Sequence, residues 1–207
     1  MMRIHTLPLG DNQTNCYIVC AEGSSSCVVI DPACEGSHIL SVLQDLHLTV
    51  DAILLTHGHF DHVGAVKKLA ETTGCHVYMG QGDYSPQRHP MRNFLYPIAD
   101  CREPEIHFCE EGEAITAGGL TFQTLETPGH TWGSVCYRCE NVLFSGDTLF
   151  AGTIGRTDLP GGSWDVICQS LCRLKQIEEN LTVYPGHGES TTLAWEKQYN
   201  PYMKGTL

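Results

Sequence analysis

The chain has 207 residues, enough for one sizeable hydrophobic core, and we expect a single domain over residues 1–207. It carries 24 acidic against 12 basic residues, a formal net charge of −12 at pH 7. That balance argues against a nucleic-acid partner, because affinity for phosphate backbones comes mainly from Lys and Arg.

The first half of the chain is predicted to begin with strands and then to alternate helices with strands. Short apolar strands separated by Gly-, Asn- and Ser-rich turns are predicted at residues 2–7, 16–20 and 27–30. Apolar residues at helical spacing predict helices over residues 37–46 and 63–72. Further strands are predicted at residues 52–55 and 76–79.

The second half repeats this order after an irregular segment. Residues 84–104 hold four prolines, which indicates an excursion over the surface of the kind that often borders a site. Strands are then predicted at residues 106–109, 114–116, 120–126, 134–138, 142–145 and 182–184, and helices at 164–175 and 191–199. Because the two halves look alike, we predict an α/β fold, a four-layer αββα sandwich of two mixed β-sheets.

The 11 cysteines are an odd number, and no secretion signal is visible, so we predict mostly reduced, buried thiols in a cytoplasmic protein. Cys136 and Cys139 form a CxxC within a predicted strand, where residues three apart face opposite sides. A shared zinc or redox site is therefore not expected there. No apolar run is long enough to span a membrane, so we expect no membrane partner.

Residues 57–62, His-Gly-His-Phe-Asp-His, concentrate imidazoles and a carboxylate at the end of a predicted strand, as a transition-metal site requires. Three later segments repeat an apolar strand, a glycine and a His or Asp, and they supply His130, Asp147 and His187. Each of these three alone fits a surface or capping role, but their shared context favours ligation. The predicted metal ligands are His57, His59, Asp61, His62, His130, Asp147 and His187.

This pattern resembles the metallo-β-lactamase superfamily, whose HxHxDH motif matches residues 57–62 and whose later motifs follow in order. The resemblance implies the αββα fold with the site at one edge between the sheets. It implies that two divalent metal ions (Zn, Fe or Mn, with zinc favoured) are bound. The first would be held by His57, His59 and His130, the second by Asp61, His62 and His187, with Asp147 bridging them. Lactamases of the best-known class carry a Cys in place of Asp147, so lactamase activity is disfavoured.

Within the superfamily the chain looks most like the short bacterial hydroxyacylglutathione hydrolases, the glyoxalase II type, over residues 144–150, 155–158 and 186–192. The resemblance implies hydrolysis of a small-molecule thioester, such as an S-(hydroxyacyl)glutathione, by a metal-bridging hydroxide. Asp61 would help to orient that hydroxide as the catalytic residue. A glutathione-contacting Lys of longer relatives aligns with Arg156, and tyrosines of that site align with Asp158 and Glu189. Arg156 and Asp158 are the predicted substrate-binding residues.

Three other functions stay open. Persulfide dioxygenases share the fold and the run Gly155-Arg156-Thr157-Asp158, and hold one iron with two His and one Asp. Phosphodiester hydrolysis, as in RNA-processing relatives, is disfavoured by the negative charge. A non-enzymatic metal-binding or scaffold module is disfavoured because all seven ligand positions hold competent residues. The oligomeric state is not predicted.

Overall fold

Two six-stranded mixed sheets form the framework of the protein, as seen in a computed structural model that describes residues 1–84 and 106–204. The first sheet pairs its strands in chain order: β1 (Met2–Leu9), β2 (Thr14–Ala21), β3 (Ser26–Ile30), β4 (Thr49–Leu54), β5 (His76–Gly80) and β6 (Ile106–Cys109). The second contains β7 (Ala114–Ala117), β8 (Leu120–Glu126), β9 (Val135–Cys139), β10 (Val142–Gly146), β13 (Thr182–Pro185) and β14 (Thr191–Thr192), also paired in that order. Between β10 and β13 the chain forms a small hairpin of β11 (Leu149–Phe150) and β12 (Thr153–Ile154).

The helices lie on the two outer faces of this pair of sheets. They are α1 (Gly36–Asp45), α2 (Phe60–Val63), α3 (Val66–Thr73), α4 (Trp164–Lys175), α5 (Leu193–Tyr199) and α6 (Pro201–Lys204), with a short 3₁₀ helix over Gln81–Asp83. Within the two described stretches no helix is long and apolar enough to cross a membrane.

Three apolar clusters separate the four layers. Successive side chains of a strand point to opposite faces, so Tyr17 packs between the sheets whereas Ile18 packs outward with α1 and α3. In the second sheet Phe144 joins the inner cluster, while Leu143 packs outward with Leu171 of α4. The predicted αββα sandwich is therefore confirmed.

The helix predicted over residues 63–72 was given the wrong first residue. The chain instead forms α2, which ends at Val63, and a separate helix α3 from Val66. Gly64 lies so close to the loop between β3 and α1 that a Cβ on it would be 2.5 Å from the carbonyl oxygen of Ala33. The backbone N–H of Ala65 donates to the carbonyl oxygen of Pro32 at 3.2 Å and not to a helical partner, which accounts for the break between α2 and α3.

The helix predicted over residues 191–199 also begins later than expected. Thr191 and Thr192 pair with β13 as an edge strand, and the helix α5 starts at Leu193. The hydroxyl of Thr192 accepts a hydrogen bond from the backbone N–H of Trp195 at 3.3 Å, which is an N-cap contact. Most of the irregular segment predicted at 84–104 lies outside the described residues, which resume at 106.

The cysteines of the described residues are all free thiols, seven of them buried. Cys136 and Cys139 belong to different apolar clusters, one outside and one inside the second sheet. The prediction that these two residues face opposite sides of one strand is confirmed.

Candidate metal centre

The seven predicted ligands meet at the edge of the sandwich where several strands end. His57 follows β4, Asp147 follows β10 and His187 follows β13, while His130 lies in the loop between β8 and β9. Since β10 and β13 are parallel neighbours, their carboxyl ends leave the second sheet side by side.

His57, His59 and His130 form a first group of three ring nitrogens. The Nδ1 of His59 lies 3.0 Å from Nε2 of His57 and 2.9 Å from Nε2 of His130. Three imidazole nitrogens that converge on one point offer one face of a tetrahedral ligand set.

Asp61, His62 and His187 form a second group beside the first. The Nε2 atoms of His62 and His187 are 3.4 Å apart, and Nε2 of His187 is 3.5 Å from Oδ2 of Asp61. Two imidazoles and a carboxylate are a donor set that suits zinc, iron or manganese.

Asp147 lies between the two groups. Its Oδ1 is 3.4 Å from Nε2 of His62, and its Oδ2 is 3.4 Å from Nε2 of His130 and 3.6 Å from Nε2 of His187. Oδ1 is buried with no hydrogen-bond partner among the described residues. A bound cation would satisfy this buried carboxylate oxygen, which has no hydrogen-bond partner among the described residues. The residues present therefore fit a metal shared by both groups.

Two glycines, which lack a Cβ, allow the ligands and their supports to approach the backbone closely. A Cβ on Gly186 would lie 2.2 Å from Oδ1 of Asp147 and 2.7 Å from Cε1 of His62. A Cβ on Gly146 would lie 2.2 Å from Oγ1 of Thr56. The glycines that precede Asp147 and His187 are therefore required by contact with the ligands and their supports.

Burial and neighbouring charges set the protonation of these side chains. Burial, then the neighbouring imidazoles, lowers the pKa of His57 well below its ordinary value and that of His59 to about 4. Burial opposes a charge on His62, but the carboxylates of Asp147 and Asp31 outweigh it and raise its pKa. Burial likewise opposes a charge on Asp147, yet His62 and the other imidazoles lower its pKa to about 2. Near neutral pH, His57 and His59 thus present free lone pairs and Asp147 a carboxylate, the forms that bind metals.

Asp31 holds ligands of the centre through hydrogen bonds, although the sequence did not predict it as a site residue. Its Oδ2 accepts hydrogen bonds from Nδ1 of His62 at 2.9 Å and from the hydroxyl of Thr56 at 2.6 Å. Since that hydroxyl donates to Asp31, it accepts from Nδ1 of His57, 3.1 Å away. Both imidazoles are thereby fixed with Nε2 toward the centre. Asp31 directly follows an apolar strand, the signal by which the sequence could have identified it.

Backbone carbonyls orient two more ligands. Nδ1 of His130 donates to the carbonyl of Arg156 at 2.7 Å, and Nδ1 of His187 donates to that of Asn12 at 3.1 Å. The side chain of Asn12 also donates to Oδ2 of Asp61 at 3.0 Å. The turn between β1 and β2 therefore holds two residues of the second group, a role with no sequence motif of its own.

Arg156 and Asp158, the predicted substrate-binding pair, are exposed and bind each other. The Nε and Nη2 atoms of Arg156 each donate to a different oxygen of Asp158 at 2.8 Å. This hydrogen bond raises the pKa of Arg156 and lowers that of Asp158 to about 2. The backbone carbonyl of Arg156 joins the pair to the metal centre, because it accepts a hydrogen bond from Nδ1 of His130.

A family model described as the metallo-beta-lactamase superfamily matches residues 9–187. Among curated proteins, the chain is 32% identical to a hydroxyacylglutathione hydrolase GloC of Haemophilus influenzae, covering 98% of each chain. It is 35% identical to a probable metallo-hydrolase, YqgX, of Bacillus subtilis, covering 99% of each.

Solved structures with the same fold include three with 30% identity or more. A crystal structure of BLEG-1 B3 metallo-beta-lactamase is 35% identical with a TM-score of 0.86, covering 99% of this chain and 100% of that one. TTHA1623 in a di-iron-bound form is 37% identical with a TM-score of 0.81, covering 96% and 99%. ETHE1 from Myxococcus xanthus is 30% identical with a TM-score of 0.79, covering 96% and 83%.

Proposed function

The chain belongs to the metallo-beta-lactamase superfamily, whose members are typically hydrolases, and we propose that it is a two-metal hydrolase of thioesters such as S-(hydroxyacyl)glutathiones. The observation that carries this proposal is the position of Asp147 between the two groups of ligands, with one oxygen 3.4 Å from His62 and the other 3.4 Å from His130. A carboxylate so placed suits a centre of two metals, the arrangement used to hydrolyse acyl bonds. The likeness to GloC and to a di-iron-bound structure supports the same proposal.

The side chains of the centre prepare the site for this reaction. Divalent ions held there would supply a water of lowered pKa and polarise the thioester carbonyl. His57 and His59 stay neutral because their pKa values are lowered, so they remain donors of lone pairs at neutral pH. Asp61 is held by hydrogen bonds from Asn12 at 3.0 Å and Thr14 at 3.3 Å, and we propose that it orients the attacking water.

The proposed reaction needs little further assistance. Water attacks the thioester carbonyl, the C–S bond breaks, and the products are a carboxylic acid and a thiol. A thiol has a pKa of about 8.5, so a thiolate leaves readily without a general acid. The ten free thiols of the described residues suit the reducing, cytoplasmic location that we also propose.

His59→Ala tests the proposed activity. The variant removes the nitrogen on which the first group converges, so we expect cleavage of S-lactoylglutathione by the metal-loaded protein to fall by more than about a hundredfold. The control is His38→Ala on the exposed face of α1, which should keep the wild-type rate. A wild-type protein that cleaves no thioester but opens a β-lactam would refute the thioester proposal, and equal rates in the two variants would refute the role of the site.

Arg156 and Asp158 are proposed to border the thiol part of the substrate. Arg156→Ala removes an exposed cation, so KM for an anionic thioester should rise about two- to fivefold with kcat unchanged. Asp158→Asn should lower KM by a similar factor, because it frees the guanidinium from its present partner. Steady-state kinetics with S-lactoylglutathione measure both. Unchanged KM in both variants would remove the pair from the substrate site.

The second candidate function is that of a persulfide dioxygenase with a single iron. The run Gly155-Arg156-Thr157-Asp158 and the structural likeness to ETHE1 favour it. Oxygen uptake with glutathione persulfide, dependent on one iron per chain, would distinguish it from thioester hydrolysis.

A further inference from the structure

Asp83 is a buried carboxylate outside both groups of ligands. It ends the short 3₁₀ helix after β5 and is 2% exposed. Its Oδ2 accepts from the backbone N–H of Gly58 at 2.8 Å and from the hydroxyl of Thr131 at 2.7 Å, and its Oδ1 accepts from the N–H of Gly133 at 2.7 Å. A buried charge surrounded by several donors in this way forms strong, directional bonds.

These bonds join the two loops that carry the first group. Gly58 stands between His57 and His59, and Thr131 follows His130. The loop of His57 and His59 leaves the first sheet, whereas the loop of His130 connects strands of the second. Asp83 therefore spans the sandwich at the point where the first group is assembled.

The backbone around Asp83 is in direct contact with the loop of His130. A Cβ on Gly80 would lie 2.1 Å from the carbonyl oxygen of Gly133, and one on Gly82 would lie 2.6 Å from the backbone of Trp132. Such contacts leave little room for the loops to shift relative to each other. His59 faces the other two ligands of the first group through Nδ1, the ring nitrogen nearest its own backbone. The position of this nitrogen therefore depends closely on the peptide N–H of Gly58, which Asp83 holds.

The second group has different supports. His62 is held by Asp31, Asp61 by Asn12 and Thr14, and His187 by the carbonyl of Asn12. None of these contacts involves Asp83. Among the described residues, Asp31 also reaches His57 of the first group through the hydroxyl of Thr56, whereas the bonds from Asp83 to Gly58 and Thr131 reach only the loops of the first group.

We propose that Asp83 is a positioning residue for the first group alone: by joining the loops of His57, His59 and His130, it sets the metal affinity of that half of the centre. The proposal rests on the proposed two-metal function. Replacing a hydrogen-bonded support of a metal ligand typically weakens metal affinity 10- to 100-fold. In Asp83→Asn, the NH₂ of the amide would face one or more of the three donors, and it cannot accept a hydrogen bond from them.

Zinc affinity in single-site backgrounds tests the proposal. In a His187→Ala background, which leaves the first group intact, Asp83→Asn should weaken Zn²⁺ binding about 10- to 100-fold in competition with a chromophoric chelator. In a His59→Ala background, which leaves the second group intact, the same change should alter binding less than about twofold. Co²⁺ absorption, which reports ligand geometry, should change in the first background and stay the same in the second.

Asp51→Asn is the matched control. Asp51 also links the two sheets, accepting from the hydroxyl of Ser26 at 2.6 Å and from the N–H of Gly118 at 2.9 Å, at the opposite end of β3 from Asp31. It should lower thermal stability without changing zinc affinity in either background. If Asp83→Asn does not fold, Thr131→Val removes one donor and should weaken the first group selectively to a smaller degree.

The possible failures are distinguishable. Unchanged affinity of the first group in Asp83→Asn, or equal weakening of both groups, would overturn the positioning role while the proposed function stands. A wild-type protein that binds no zinc, iron or manganese would overturn the proposed function and this inference with it.

Discussion

Asp147→Asn should reduce thioester hydrolysis by more than about a hundredfold and lower the bound metal from about two ions per chain to one or fewer. The carboxylate lies within 3.6 Å of imidazole nitrogens from both groups of ligands. Its pKa of about 2 means that the charge is present at every pH used for an assay, and the amide removes that charge while keeping the shape.

The measurement is the initial rate on S-lactoylglutathione together with metal content by mass spectrometry. Asp45→Asn, an equal loss of charge on the exposed surface at the end of α1, is the control and should match the wild type. Full activity in Asp147→Asn would contradict a shared ligand at this position.

Gly186→Ala should have nearly as large an effect, although it removes no functional group. The added methyl carbon would lie 2.2 Å from Oδ1 of Asp147 and 2.7 Å from the ring of His62, so at least one of these ligands must move. We expect loss of metal from the second group and a fall in hydrolysis of more than about a hundredfold, because displacement of a ligand by about 1 Å is enough to impair catalysis.

Gly188→Ala provides the comparison two residues away. Gly188 has a φ of +76° and nothing within 4 Å of an added Cβ, so alanine there costs about 1 kcal/mol of stability but reaches no ligand. Calorimetry and metal analysis of both variants separate the effects. If Gly186→Ala kept its metal while Gly188→Ala lost it, the steric argument would be wrong.

The layers of the fold could be predicted because they follow from local periodicity. Short apolar runs bounded by turn residues identified the strands, and the helix predicted over residues 164–175 has the bounds of α4. The break between α2 and α3 could not be predicted, because it depends on the hydrogen bond between Ala65 and Pro32, which belong to distant parts of the chain. The hairpin of β11 and β12 has strands of only two residues, too short for a periodic signal.

The candidate ligands could be predicted because metal chemistry restricts them to a few residue types at strand ends. Their supports could not be predicted in the same way. Asn12 acts partly through its backbone carbonyl, which any residue carries, and Asp83 lies 25 residues beyond Gly58 in sequence. Such contacts come from the packing of the two sheets, which no local pattern records.

Metal content per chain, measured with the hydrolytic rate on S-lactoylglutathione in the same wild-type preparation, tests the two-metal thioesterase most directly. The predicted result is about two ions of zinc, iron or manganese per chain and a rate that rises in proportion to their content. A single iron per chain, with no thioester cleavage and with oxygen uptake on glutathione persulfide, would contradict it.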